Sequence, residues 1–269
     1  MSSAPTPTTT LERPRLGPVR STAVASPTNS RTAPAVAPHG TFESPFSEGC
    51  RRFADILVSA TALLLLMPVF AVVAVLIRTT SPGPILYRQV RVGQNRRRLS
   101  RRAPGDTRGS ADRRTRSDRR RSTAYGRPFT IWKFRTMVIN AEEYGPQWSS
   151  RFDPRITPVG RFLRLTRLDE TPQFWNVLTG DMSLIGPRPE RPYFVDQFAE
   201  TIPHYPKRLV VRPGITGQAQ VSLAYDASVD DVKRKLDADL DYVRHRSLIH
   251  DIRILFRTIG VVLTGKGAA

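Results

Sequence analysis

The sequence predicts an α/β fold, mainly helical with a small sheet, led by one long apolar helix that associates with a membrane. Three observations carry this expectation. Residues 56–77 form 22 consecutive positions without a charged side chain. At ~1.5 Å per residue, a helix of that length covers about 33 Å, enough to cross a bilayer core. Downstream, ITPVGRFLRLTRL and SLIHDIRILFRTIGVVLTG repeat apolar residues at helical spacing, whereas ILYRQVRVG and RPFTIWKFRTM read as short strands.

Charge narrows the partners. The chain has 269 residues, with 42 Lys and Arg against 23 Asp and Glu, a formal charge of +19. Such a balance points to nucleic acid, anionic lipid or phosphorylated substrates. Cys50 is the only cysteine, so no intramolecular disulfide forms, and no Cys/His cluster has zinc-ligand spacing. Residues 1–48 are rich in Pro, Ser and Thr without an apolar period and read as a disordered tail. No secretory signal is expected there.

Each element follows in order. Residues 49–80 form the apolar helix, either a single span or a hairpin that enters and leaves by one face. Pro68 sits at its midpoint, where the missing N–H tends to kink a helix. Arg51 and Arg52 flank one end, Arg78 and Arg88 the other; cationic residues prefer the cytoplasmic side, so both ends fit the same side. Asp55 is one turn from Arg51 and Arg52 and could pair with either. SPGP at 81–84 breaks the chain before the first strand. The run 96–121 holds twelve Arg against three Asp, too polar to fold alone. It reads as a solvated loop over lipid headgroups or as an RNA-binding arm, the latter weakened by the absence of stacking aromatics. A strand resumes at RPFTIWKFRTM, then a helix with Val159, Phe162, Leu163 and Leu165 on one side. A second helix is expected from Glu170 to Leu178 with Gly180 as its C-cap. VDDVKRKLDADLDYVRH is a charged helix. In the last segment, Leu248, Ile252, Leu255, Phe256 and Ile259 mark either a core face or an interfacial amphipathic helix.

Chemistry concentrates at RLDETP. Asp169 and Glu170 precede Pro172 and could simply cap a helix start. Arg161, Arg164 and Arg167 lie before them, Arg188 and Arg191 after. A carboxylate among guanidiniums stays ionised at neutral pH. It can attack phosphorus, and a neighbouring Glu can hold a divalent cation or shuttle a proton. The same group could be a surface ion-pair network. GPRPE places Arg188 between two prolines, either a plain turn or a guanidinium with few conformations to lose on binding phosphate. Lys133 and Arg135 of KFRTM share one face of a strand, aimed at a ligand or guarding an edge. RPGITG, with Arg212, is a tight turn or a close backbone approach to a ligand. His204, His245 and His250 have no triad spacing, and no nucleotide-binding glycine loop is present.

Taken together, RRFADI, the proline-interrupted apolar run, KFRTM, LDE, FWNVLTGDMSLIGPRPE, VRPGITGQAQV and SLIHDIRILFRT resemble the bacterial sugar transferase family, the monotopic polyprenyl-phosphate phosphoglycosyl transferases. The resemblance covers about residues 50–264, apart from the charge run. It implies transfer of a sugar-1-phosphate from a UDP-sugar to a polyprenyl phosphate of the undecaprenyl type, releasing UMP. This would be the initiating step of exopolysaccharide, capsule or O-antigen-type synthesis. By the same resemblance Asp169 is the nucleophile of a covalent phosphosugar intermediate. Glu170 serves Mg2+ and catalysis, with Asp169 as a further metal ligand. Arg164, Arg188, Lys133, Arg135 and Arg212 bind substrate. Arg52, Asp55 and Pro68 belong to a re-entrant membrane helix broken at the proline.

It further implies a cytoplasmic catalytic domain over 81–265, on the inner membrane of a bacterial cell; residues 96–126 depart from the family as an Arg-rich insertion, whose composition reads as disordered. Met67 and Arg167 stand where the family commonly has serine. The implied partners are a UDP-sugar, a polyprenyl phosphate and the bilayer, with no nucleic acid, and a homo-oligomer is left open. The competing class is a membrane-tethered basic scaffold that binds RNA or anionic lipid through the Arg-rich run.

Overall fold

The computed structural model describes residues 44–95, 125–141, 143, 153–223 and 229–264. The expected tail up to residue 43 and the basic run lie outside the described residues. Helix α1 spans Pro45–Thr80, four residues ahead of the expected boundary. Its start is set locally: the Ser44 hydroxyl accepts from the Ser47 N–H and Pro45 takes the first helical position. Pro68 does not end the helix, which continues on both sides of it. Only one backbone donor is lost there, and the neighbouring turns keep their own bonds. Among the described residues α1 is the one helix long and apolar enough to cross a membrane.

Strands β1 (Leu86–Val92) and β2 (Pro128–Phe134) pair antiparallel, from Leu86 opposite Phe134 to Val92 opposite Pro128. The insertion leaves and rejoins at one point of this hairpin. There the Gly93 N–H donates to Arg127 O at 2.9 Å, and Tyr125 packs on the core, so the fold resumes before the expected boundary at 126. Helix α2 (Pro158–Leu165) leads into a 3-10 segment, Leu168–Gln173, and then α3, Phe174–Thr179. A second two-stranded sheet joins β3 (Ser183–Ile185) and β4 (Gly214–Thr216) in parallel. Between them run α4 (Pro192–Thr201) and a 3-10 segment, Tyr205–Val210. The chain continues through α5 (Gln218–Ser222), α6 (Val229–His245) and α7 (Leu248–Thr264). The architecture is thus mostly helical with two small sheets.

Two apolar clusters position the site. One packs Val73 and Ile77 of α1 against Phe134 and Leu163. Leu163 is fully buried, which contributes on the order of 2 kcal/mol. The other sets Phe129 and Ile131 of β2 against Val177 and Met182. Asn176 fastens the same contact: its Nδ2 donates to Thr130 O at 2.7 Å and its Oδ1 accepts from the Trp132 N–H at 3.2 Å. In α7 the buried stripe is Asp251 and Ile254, while Leu248, Ile252, Leu255, Phe256 and Ile259 are exposed. The core reading of those five residues is therefore corrected. The helix turns its polar-flanked stripe inward because Asp251 meets Tyr242 and Arg51 there.

Candidate active site

Asp169 and Glu170 owe their placement to an abrupt change of direction. Helix α2 is capped by Thr157, whose hydroxyl accepts from the Gly160 N–H at 2.9 Å. After α2 the chain turns through Arg167 in the left-handed region, φ 60° and ψ 10°. A non-glycine residue there costs on the order of 1 kcal/mol. The carboxylates then fall in a 3-10 segment rather than an α-helix, and the side chain of Arg167 at its N-cap makes no capping bond. The expected helix from Glu170 is thus a 3-10 turn followed by α3, because Pro172 removes a donor inside the segment. Gly180, φ 88°, closes α3 as expected.

Glu170 is saturated by cations. Its Oε1 accepts from Lys133 Nζ and from Arg188 Nη2, both at 2.6 Å, and its Oε2 accepts from Arg188 Nη1 at 3.1 Å. Burial works against its charge, yet Arg188 and Lys133 outweigh it and hold the carboxyl well below the usual range. Lys133 is itself pushed down by burial, with Glu170 opposing. Asp169 is only 8% exposed. Burial and the Glu170 charge push its carboxyl up to about 6, against the pull of Lys133, Arg164 and Arg188. The expectation that guanidiniums alone would fix its charge is therefore modified: it stays mainly ionised at neutral pH, but less firmly. Arg164 joins through its charge while its Nε donates to Thr136 Oγ1 at 3.0 Å.

The Arg188 loop is pinned carbonyl by carbonyl. Pro187 O accepts from the Gly214 N–H at 3.0 Å, Arg188 O from Arg208 Nη2 at 2.9 Å, Pro189 O from Arg91 Nη1 at 2.8 Å and Glu190 O from the Val92 N–H at 2.9 Å. RPGITG is not a tight turn: its Gly214–Thr216 forms strand β4, pressed so close to the GPRPE segment that a Cβ on Gly214 would meet Gly186 N at 2.1 Å. Arg91 and Arg208 are site-supporting residues that sequence reasoning missed. Arg91 could have been suspected, since it lies in the strand opposite the KFRTM strand; nothing local marks Arg208.

Four candidates fall elsewhere. Strand β2 ends at Phe134, so Arg135 leaves the face of Lys133. Its Nη2 instead donates to Ser81 O at 2.8 Å and Ser81 Oγ at 2.6 Å, a cation at the C-terminal end of α1. Arg212 stands 3.6 Å from Glu48 at the other end of α1. Arg52 donates to Val177 O at 2.6 Å and Leu178 O at 2.7 Å, closing the end of α3. Asp55 accepts from Ser183 Oγ at 3.1 Å and the Leu184 N–H at 2.9 Å. Arg51 pairs with Asp251 of α7. Arg51, Arg52 and Asp55 thus reach across the fold, to α7, α3 and β3, while the Arg52 charge also acts on Asp55.

Among the described residues no cluster of three acids, histidines or cysteines could hold a metal by itself. Magnesium takes one or two carboxylates together with substrate phosphates. Asp169 fits that donor set. Glu170 already shares both oxygens with Lys133 and Arg188 and could join only by releasing one.

The profile of a family described as bacterial sugar transferase matches residues 46–101 and 114–265. A UDP-N-acetylgalactosamine-undecaprenyl-phosphate N-acetylgalactosaminephosphotransferase of Aeromonas hydrophila is 42% identical over 225 residues, 84% of this chain and 46% of the relative. A UDP-glucose:undecaprenyl-phosphate glucose-1-phosphate transferase of Escherichia coli (strain K12) is 34% identical, covering 81% of this chain and 41% of the relative. A protein of the same description from Caulobacter vibrioides is 36% identical, covering 81% and 71%. The chain spans less than half the length of the first two.

Proposed function

Because the chain belongs to the bacterial sugar transferase family, we propose that it transfers a sugar-1-phosphate from a UDP-sugar to a polyprenyl phosphate at the membrane surface. The observation that carries the reading is the buried, mainly ionised Asp169 beside a Glu170 already neutralised by Lys133 and Arg188. One carboxylate is left as a nucleophile while the other organises the cations. In the first half-reaction an Asp169 oxygen bonds to the β-phosphorus. The bond from that phosphorus to the bridging oxygen breaks, and UMP leaves with the oxygen. In the second, an oxygen of the polyprenyl phosphate attacks the same phosphorus and the carboxylate departs. Arg188 and Lys133 stabilise the charge on the transferring phosphoryl group, and Arg164 assists by its charge. Magnesium, held by Asp169 and the donor diphosphate, would neutralise the charge of the latter.

We place the catalytic unit at the cytoplasmic membrane face, a reading supported by the arginines that flank both ends of the apolar run and by the packing of α1. Both flanks of its apolar run pack on the same catalytic unit: Asp55 on β3, and Val73 and Ile77 on β2 and α2. A straight crossing would send those flanks to opposite sides of the bilayer, so the contacts support a course in which both ends of α1 meet the same face. The exposed apolar stripe of α7 suits the headgroup region.

The test is UMP release from a panel of UDP-sugars with undecaprenyl phosphate and magnesium, together with intact mass after donor alone. A phosphosugar adduct is expected on the native chain and none on Asp169→Asn, with turnover down at least a thousandfold. Near-native turnover of Asp169→Asn would sink the reading.

A further inference from the structure

We propose that Arg208, clamped by Asp239 and Tyr205, is a positioning residue that fixes Arg188 for the phosphates of the donor. This rests on Arg188 being a phosphate ligand, as proposed above. Arg208 lies in the 3-10 segment Tyr205–Val210, and its side chain is 8% exposed. Each guanidinium nitrogen has an acceptor. Nε donates to Asp239 Oδ2 at 2.9 Å, Nη1 to the Tyr205 hydroxyl at 2.9 Å, and Nη2 to Arg188 O at 2.9 Å. Nη2 also stands 2.7 Å from Asp239 Oδ2. The guanidinium carbon lies 5.3 Å from the centre of the Tyr205 ring. Asp239 on α6 and Tyr205 are each 2% exposed.

The consequence is geometric. Arg188 grips Glu170 with two nitrogens, and such a fork tolerates little displacement of its own backbone. Pro187 and Pro189 restrict that backbone on either side. Three of the four pinned carbonyls are held by donors from β1 and β4. Among the described residues, the carbonyl of Arg188 itself is held by Arg208. Stability is a poor reason for such a pair, because buried ions gain little over apolar residues of the same volume. A charged fork does what an apolar side chain cannot: it aims a donor at one carbonyl while its own charge is neutralised from behind.

The experiment uses the full chain in nanodiscs. Arg208→Lys removes the fork and keeps the charge. We expect kcat/KM for UMP release to fall about tenfold, and by less than twofold when the same change is made in an Arg188→Lys background. Equal losses in both backgrounds would overturn the proposal, as would a loss explained by the unfolded fraction. A second readout needs no substrate. Hydrogen exchange across residues 184–192 should quicken at least tenfold while α2 is unchanged; unaltered exchange there refutes the positioning role whatever the activity. Faster exchange in a protein whose native form releases no UMP would instead refute the proposed activity and keep the positioning. If Arg208→Lys fails to fold, Tyr205→Phe removes one hydroxyl and should give the same pattern at two- to threefold.

Discussion

Asp169 is a destabilising residue in the site it would serve. A carboxyl raised from 3.8 to about 6 by burial and by Glu170 makes the ionised folded state costlier by on the order of 3 kcal/mol. The sign is set by protons: between those two values the folded chain binds more of them than the unfolded one, so stability falls as pH rises from about 4 to 6 and then levels. Asp169→Asn lacks that fall. Its melting temperature, measured with chelator present, should exceed the native value at pH 7 and converge on it near pH 4. A gap independent of pH would refute the assignment. Activity should fall below about pH 6 as the nucleophile protonates. The adjacent acids and the proline-flanked Arg188 were legible in the sequence because their spacing is local. The pairing of Lys133 and Arg188 on Glu170 was not, since it joins residues 37 and 18 positions apart in the chain.

At the scale of elements, the site depends on two strands too short to persist alone. Strands β3 and β4 are three residues each, and their pairing sets where GPRPE emerges. The fit requires bare backbone: a Cβ on Gly214 would lie 2.1 Å from Gly186 N and 2.4 Å from Thr216 O. Gly214→Ala should therefore cost about 3 kcal/mol and lower the melting temperature. It should also lower UMP release by more than the folded fraction explains, because Arg188 moves with the strand. Unchanged melting and turnover would contradict this packing. The glycines in RPGITG read as turn residues because sequence offers no sign of a close neighbour; their partner, Gly186, lies just past β3, in a distant segment of the chain. Helix boundaries set by caps were legible to within a turn, as at Gly180. The 3-10 start after Arg167 was not, since nothing local predicts a left-handed arginine.

Across the whole molecule, α1 is tied at both ends to one body. Arg51 meets Asp251, Arg52 closes α3, and Ser81 at the far end receives Arg135. Both ends should therefore lie on one side of the membrane. In a Cys50→Ser background, Ser44→Cys and Thr80→Cys should both resist an impermeant maleimide applied to intact spheroplasts, and both react in inverted vesicles. Opposite reactivity at the two sites would establish a span and refute the re-entrant course. The sequence by itself determined the apolar helix, the mostly helical fold and the acidic pair with its nearby arginines. These are properties of composition, period and short spacing, which any window along the chain carries. Only the tertiary structure decided which cations meet Glu170, that Arg135 and Arg212 attend the ends of α1, and that Arg208 stands behind Arg188. Those contacts join distant segments through packing, and packing depends on the volumes and register of the whole fold, which no local pattern encodes.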